Sequence, residues 1–300
     1  LKITNHPKAL WPGIHAWFGR KYDEHPMEYP FGFEIAGASK QNYEEDVLVT
    51  GFGLAPVKVQ GQSVTFDSES QGFVKRYVHV VYGIGYIVTE EELDDNLYEV
   101  VSMRRSEAAA FSLRQTEETV CANVYNRGFN SSFTGGDGVR LFIATHPSKA
   151  GNWSNILAPA ADISETALED ICIQIMGVTN DKGLKISLVP KSLQVHRNDW
   201  FEANRILRSV LQNDTTNNAL NILKSTNAIP EGPFINHYFT DTDAFFVRTN
   251  CPHGMTYFLR KDKVFRRDND FATDNALAKC QKRFSVGWTD PRGCFASSGA

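Results

Sequence analysis

Residues 56–82, PVKVQGQSVTFDSESQGFVKRYVHVVY, and residues 89–128, TEEELDDNLYEVVSMRRSEAAAFSLRQTEETVCANVYNRG, decide the fold. In the first, Val57, Val59, Val64 and Phe66 alternate with polar residues, although Gly61 interrupts. After a polar turn, DSESQG, residues 73–82 are again rich in β-branched and aromatic types. The pattern predicts a long hairpin with strands at 56–66 and 73–82. Ten residues per strand reach about 34 Å, and an isolated two-stranded ribbon is marginal in water. The hairpin therefore needs either the rest of a larger sheet or the surface of another molecule.

The second stretch predicts one long helix. Thr89 with Glu92 three residues later forms a capping box, and Leu93, Leu97, Val100, Val101, Ala108, Phe111, Val120 and Val124 recur at a rough 3–4 spacing. Acidic residues crowd its start and Arg104, Arg105 and Arg114 follow, which suits the helix dipole. Gly128 is placed to end it. Unbroken, residues 90–127 would span about 57 Å, longer than a compact core requires. It reads as a spine.

Upstream, residues 1–44 hold Trp11, Trp17, Phe18, Tyr22, Tyr29, Phe31 and Phe33, broken by Pro7, Pro12, Pro26 and Pro30. The prolines argue for an extended arm, and so many rings argue that the arm lies across another surface. Downstream, residues 135–250 alternate helices and strands. Asp162 with Glu165 and Asp199 with Glu202 are expected to cap helices, Leu184–Val189 to form a strand ahead of Pro190, and Ala244–Val247 another. From 254 onward the chain returns to long β segments.

Composition narrows the function. With 42% hydrophobic and 22% charged residues the chain is globular, and no apolar run approaches the roughly 18 residues of a membrane span. It is expected to be neither secreted nor membrane-bound. A net charge of −4 disfavours tight nucleic-acid grip; the run Arg260-Lys261-Asp262-Lys263 with Arg266-Arg267 reads as a solvated strand edge. Five scattered cysteines without a C-x-x-C fit free thiols, not a disulfide framework or zinc site.

Chemical motifs are weak. Gly83-Ile84-Gly85 and Gly135-Gly136-Asp137-Gly138 lack the context of nucleotide-binding loops and read as turns. Asp268-Asn269-Asp270 with Asp274 lacks the glycine and terminal Glu of a calcium loop. Cys251-Pro252-His253 could pair a nucleophile with a base, but a plain loop leaving a strand is the simpler reading, as it is for His146-Pro147. No catalytic, cofactor-binding or metal-binding residue is assigned, and no cofactor is expected.

Arm, hairpin, spine, α/β region and returning strands, in that order, resemble the major capsid protein of tailed bacteriophages, an α+β chain of the Hong Kong 97 type. The stretches that carry the resemblance are NSSFTGGDGVRLFIATHP (130–147), GLKISLVPKSLQVHRNDWFEANRILRS (183–209), TDTDAFFVRTNCPHGMTYFLR (240–260), and the ending with DNDFATDN and RFSVGWTDPRG. The resemblance implies an N-terminal arm at 1–44, an E-loop hairpin region at 45–88, a P-domain spine helix at 89–134, an A-domain at 135–250 and a P-domain β segment at 251–300. It implies self-assembly into hexamers and pentamers of an icosahedral head around double-stranded DNA, built in the host cytoplasm. Neighbouring subunits would meet through arm and E-loop, with scaffolding, portal and decoration proteins as further partners. Some relatives cross-link an E-loop lysine to a neighbour; Lys58 and Lys75 lie there, and surface roles fit them better. The Leu start fits either proteolytic removal of a scaffolding region or a short disordered leader. An encapsulin-type compartment shares the fold, and a Cys251/His253 enzyme is the remaining alternative.

Overall fold

The computed structural model describes residues 7–89, 91–92, 98–212, 219–270 and 275–300. In chain order its principal elements are α1 (Pro7–Glu24), α2 (Tyr29–Gly32), β1 (Glu34–Ile35), β2 (Tyr43–Thr50), β3 (Ser70–Val78), β4 (Val80–Val88) and α3 (Tyr98–Asn126). There follow α4 (Glu165–Met176), β5 (Pro190–Val195), α5 (Trp200–Arg208), β6 (Pro233–Ile235), β7 (Phe245–Thr249), β8 (Met255–Asn269), β9 (Ala276–Trp288) and β10 (Cys294–Ser297). They make one sheet ordered β1-β8-β9-β4, a second ordered β10-β7-β5-β6, and the two-stranded ribbon β2-β3.

The expected extended arm is largely helical. Ile14, Phe18 and Tyr22 recur every four residues and form one buried stripe on α1. The prolines concealed it. Pro7 opens the helix, where its missing N–H costs nothing; Pro12 stands in its second turn, within the helix; and Pro26 and Pro30 lie beyond its end. With Ala109, Ala110 and Leu113 of α3, this stripe packs on Phe265, Ala276, Ala278 and Cys280 of the first sheet.

The hairpin is real but its register differs. Residues 73–82 do not form one strand: they divide at His79 into β3, which pairs with β2 from Tyr43↔Val78 to Thr50↔Ser70, and β4, which pairs with β9. Residues 56–66 form no strand. Gly51, Gly53 and Pro56 explain part of this, because glycine weakens a ladder and proline cannot donate to it. Gly83 and Gly85, read as turn residues, stand within β4; a Cβ on Gly85 would sit 3.0 Å from the Ala278 carbonyl.

The spine helix α3 has 29 residues, about 43 Å at the usual rise. Its expected Leu93 and Leu97 lie outside the described residues. The capping box is formed: Thr89 N–H donates to Glu92 Oε2 at 3.2 Å and Glu92 N–H to Thr89 Oγ1 at 3.4 Å. Gly128 follows the helix where a Cβ would lie 2.4 Å from the Phe142 ring.

In the second half, α4 is capped by Ser164, whose hydroxyl accepts Ala167 N–H at 3.2 Å, and not by Asp162. Asp199 precedes α5 without a side-chain cap bond. The strand expected at 184–189 begins instead at Pro190: Ser187 has φ 51°, which breaks an extended run, and proline is tolerated at a strand's first residue. Both helices cover a core of Leu193, Val195, Phe245, Val247 and Phe295. β8 and β9 complete the first sheet, while β10 crosses to pair with β7 in the second. The segment 251–300, expected in one sheet, is shared between two. Because β1 meets β8 only at Thr256 and Tyr257, the basic run from Arg260 lies on an open edge, as expected.

Candidate assembly surface

Between Thr50 and Ser70 the chain leaves the body as an arm. Extending the β2–β3 register along it places the tip at residues 60–61. There the Val59 carbonyl accepts Gln62 N–H at 3.1 Å and Gly61 has φ 83°, the left-handed conformation that a type II turn requires at its third residue. The base of the arm is held by Asp67. Its Oδ2 accepts Gly53 N–H at 2.7 Å and the Lys182 ammonium at 2.7 Å, and its Oδ1 accepts Ser68 N–H at 2.8 Å. These bonds, the Gly53 one foremost, pull the carboxyl down to about 2.

The arm leaves its apolar side chains in water. Val57 and Phe66 are 93% exposed and Leu54 82%. Phe52, Val59 and Val64 are also exposed. A monomer does not hold a contiguous apolar segment in solvent without a use for it. A second exposed apolar strip lies on β4, at Val80, Val81, Ile84 and Ile87, and no strand pairs with the far side of β4 among the described residues.

The helical arm is fixed by a buried charge cluster. Glu117 of α3 accepts the hydroxyl of Tyr22 (α1) at 2.6 Å on Oε2 and that of Tyr257 (β8) at 2.6 Å on Oε1. It also pairs with Lys282 (β9) at 2.5 Å and Arg114 at 3.0 Å. Burial, then the Glu117 charge, raises both tyrosine hydroxyls well above their ordinary range. Next to it, Glu118 accepts Tyr29 N–H at 2.9 Å and Glu28 N–H at 3.2 Å. Sequence reading missed this cluster. Its signal was Lys282, which falls at an inward position of β9 between Cys280 and Phe284 and so requires a buried counter-charge.

The chemical candidates separate. Cys251 Sγ is buried and faces Asp290 Oδ2 at 3.6 Å, whereas the exposed His253 ring turns to Asp46 Oδ2 at 3.0 Å. Burial pushes the Cys251 thiol up, so it is held as a thiol and not as the nucleophilic thiolate. His146 is wholly structural: Nδ1 meets Asp137 Oδ2 at 2.8 Å, Nε2 meets Asn155 Oδ1 at 3.0 Å, and the ring stacks on Trp153. Residues 135–138 do form a turn, closed by a Thr134–Arg140 bridge. Asp268 and Asn269 end β8, and Asp274 lies outside the described residues. All five cysteines are free and buried. Among the described residues no group of three His, Cys, Asp or Glu is placed to hold a metal, and no helix is long and apolar enough to cross a membrane. Lys75 is engaged by its own subunit, donating to the Thr134 carbonyl at 3.2 Å with its ammonium over Trp288; Lys58 is exposed near the tip of the arm.

A family model described as phage capsid protein matches residues 74–297, most of the chain. The chain belongs to the phage capsid protein family. As a major capsid protein of the Hong Kong 97 fold it is a structural protein of the virion shell, built from copies of itself. No curated protein is similar enough to count as a relative. Among solved structures, a virus-like particle from Pyrococcus furiosus is similar over 95% of this capsid protein and 98% of its own chain, at 11% identity and a TM-score of 0.59. Mycobacterium phage Patience matches over 96% and 86%, at 12% identity and 0.53. Mycobacterium phage Adephagia matches over 91% and 88%, at 10% and 0.51. At such identities the likeness speaks for the fold.

Proposed function

We propose that this capsid protein assembles into hexamers and pentamers that close an icosahedral head around double-stranded DNA. One observation carries the reading: the arm from 51 to 69 presents apolar side chains that its own subunit leaves uncovered. A neighbouring subunit is the surface that would cover them, and interfaces of standard size or larger would follow around each subunit. In this reading residues 45–88 act as the E-loop region, 89–134 carry the spine, 135–250 gather at the capsomer axes, and 251–300 return mainly to the P-domain sheet. Assembly would take place in the host cytoplasm, with scaffolding, portal and decoration proteins as further partners.

Electron microscopy of particles sedimented from cells expressing the chain, with and without its native neighbours, tests this. Uniform closed shells are expected, and native particles should contain DNA. A small discrete oligomer in both preparations would overturn it. The second reading, an encapsulin-type compartment, is favoured by the likeness to the Pyrococcus furiosus particle; native shells holding protein cargo and no DNA would select it.

A further inference from the structure

The returning half of the arm has the composition of a strand and no strand to pair with. Gln62 to Asp67, QSVTFD, contains Val64, Thr65 and Phe66, no glycine and no proline, so every residue can donate to a ladder. The outgoing half, with Gly51, Gly53 and Pro56, is poorer for that purpose. Within its own subunit this half makes no strand.

The opposite deficit lies on β4. Its nine residues, VVYGIGYIV, carry no charge and no proline, the devices by which natural edge strands avoid pairing with other chains. One side is fully paired with β9, from Val80↔Phe284 to Val88↔Ala276, and the other side has no strand among the described residues. On one face of β4, Gly83 and Gly85 leave the surface low between exposed Val81 and Ile87. Val64 and Phe66 are likewise two residues apart. A large side chain laid beside a strand glycine covers the backbone that glycine leaves bare, a pairing known to stabilise sheet edges.

We propose that Gln62–Asp67 of a second copy adds to the free edge of β4 as a fifth strand, with Val64 and Phe66 lying over Gly83 and Gly85. The claim rests on the shell reading above and names where the arm lands. Asp67 is the only ionic side chain of Gln62–Asp67, and β4 has none, so contact brings no like charges together. Main-chain bonds supply the affinity and the glycine gaps the register, as in other strand additions. It also gives a ladder to Val64 and Phe66, the second half of the alternating pattern at 56–66 that has no ladder inside the subunit.

Two chains, one carrying Thr65→Cys and the other Ile84→Cys, the exposed residue that registers with Thr65 on the opposite face from Gly83 and Gly85, are to be co-assembled and treated with a short bismaleimide. Thr65 leaves Val64 and Phe66 in place, and the native thiols are buried. The mixture should give at least tenfold more covalent dimer than either chain alone, with peptides joining residue 65 to 84. Hydrogen exchange on unmodified protein gives the backbone readout: amides within 81–87 should slow at least tenfold on assembly. Closed shells without the mixed dimer, or with unchanged exchange at β4, would overturn strand addition and leave the shell reading intact. Failure of the unmodified chain to form shells at all would overturn that reading instead, and this one with it.

Discussion

Glu117 and Lys282 meet at 2.5 Å in the interior, joining the spine helix to the centre of the first sheet, with neither side chain reaching solvent. Two tyrosine hydroxyls and Arg114 complete the cluster. A buried pair of this kind offers little net stability against an apolar pair, but losing one member strands the other. Glu117→Ala should therefore cost about 3–5 kcal/mol. Adding Lys282→Met should recover part of that loss, because the uncompensated charge is gone. Denaturant unfolding of the unassembled chain, run as a double-mutant cycle, checks both. Equal and additive losses would mean that the two side chains do not act as a pair.

Glu118 sets a pH dependence. Burial raises its carboxyl to about 7, against the opposing pull of the Glu28 and Tyr29 N–H groups. Its unfolded value is near the ordinary 4.5, so between these two the folded chain binds the extra proton. The stability from this group is fully present below about 4.5 and lost as pH rises through 7, by about 3 kcal/mol at most. The wild-type chain should be more stable at pH 5.5 than at pH 8, and Glu118→Gln should flatten that difference. Melting curves at the two pH values suffice; a wild-type chain that melts identically at both would refute the assignment.

What was legible in the sequence follows a physical rule. Local signals read correctly: the Thr89–Glu92 box, the Gly128 stop, the long β segments after 254 with their open basic edge. Signals that depend on a distant partner did not. The Ile14–Phe18–Tyr22 stripe was masked by Pro7 and Pro12 at the start and in the second turn of α1 and by Pro26 and Pro30 beyond its end, and its value depends on Phe265, some 240 positions away. The hairpin was displaced because residues 56–66 carry a strand pattern while the true partner of β3, Tyr43–Thr50, is rich in carboxylates. The Glu117 cluster draws on four separate elements, so no single stretch could announce it.

Cys251 gives a direct test against catalysis. Its thiol is enclosed beside Asp290, and His253 points elsewhere. Native protein should resist alkylation by iodoacetamide at pH 7.5 for hours, and unfolded protein should react at all five cysteines. Cys251→Ala should assemble normally and lose no more than about 1–3 kcal/mol, the range for a small buried truncation. Rapid labelling of Cys251 in the folded chain would reopen the enzyme reading.

Asp67 controls the arm without belonging to the core. It joins the Gly53 N–H on the outgoing half to Lys182 on the body, across the point where the β2–β3 ladder ends. Asp67→Ala removes both bonds, so the arm should be cleaved several-fold faster between 51 and 69 by a protease of broad specificity. The melting temperature should not move, because no arm residue from 51 to 69 is buried in the core. The carboxyl is held at about 2, below its ordinary 3.8; its hold on the arm is therefore complete above pH 4 and is lost only as pH falls toward 2. Wild-type protein should keep slow cleavage from pH 8 down to pH 4.5, and the variant should be fast throughout. Equal cleavage rates for the two would show that the clamp does not restrain the arm, and a lowered melting temperature in Asp67→Ala would show that the arm is coupled to the core after all.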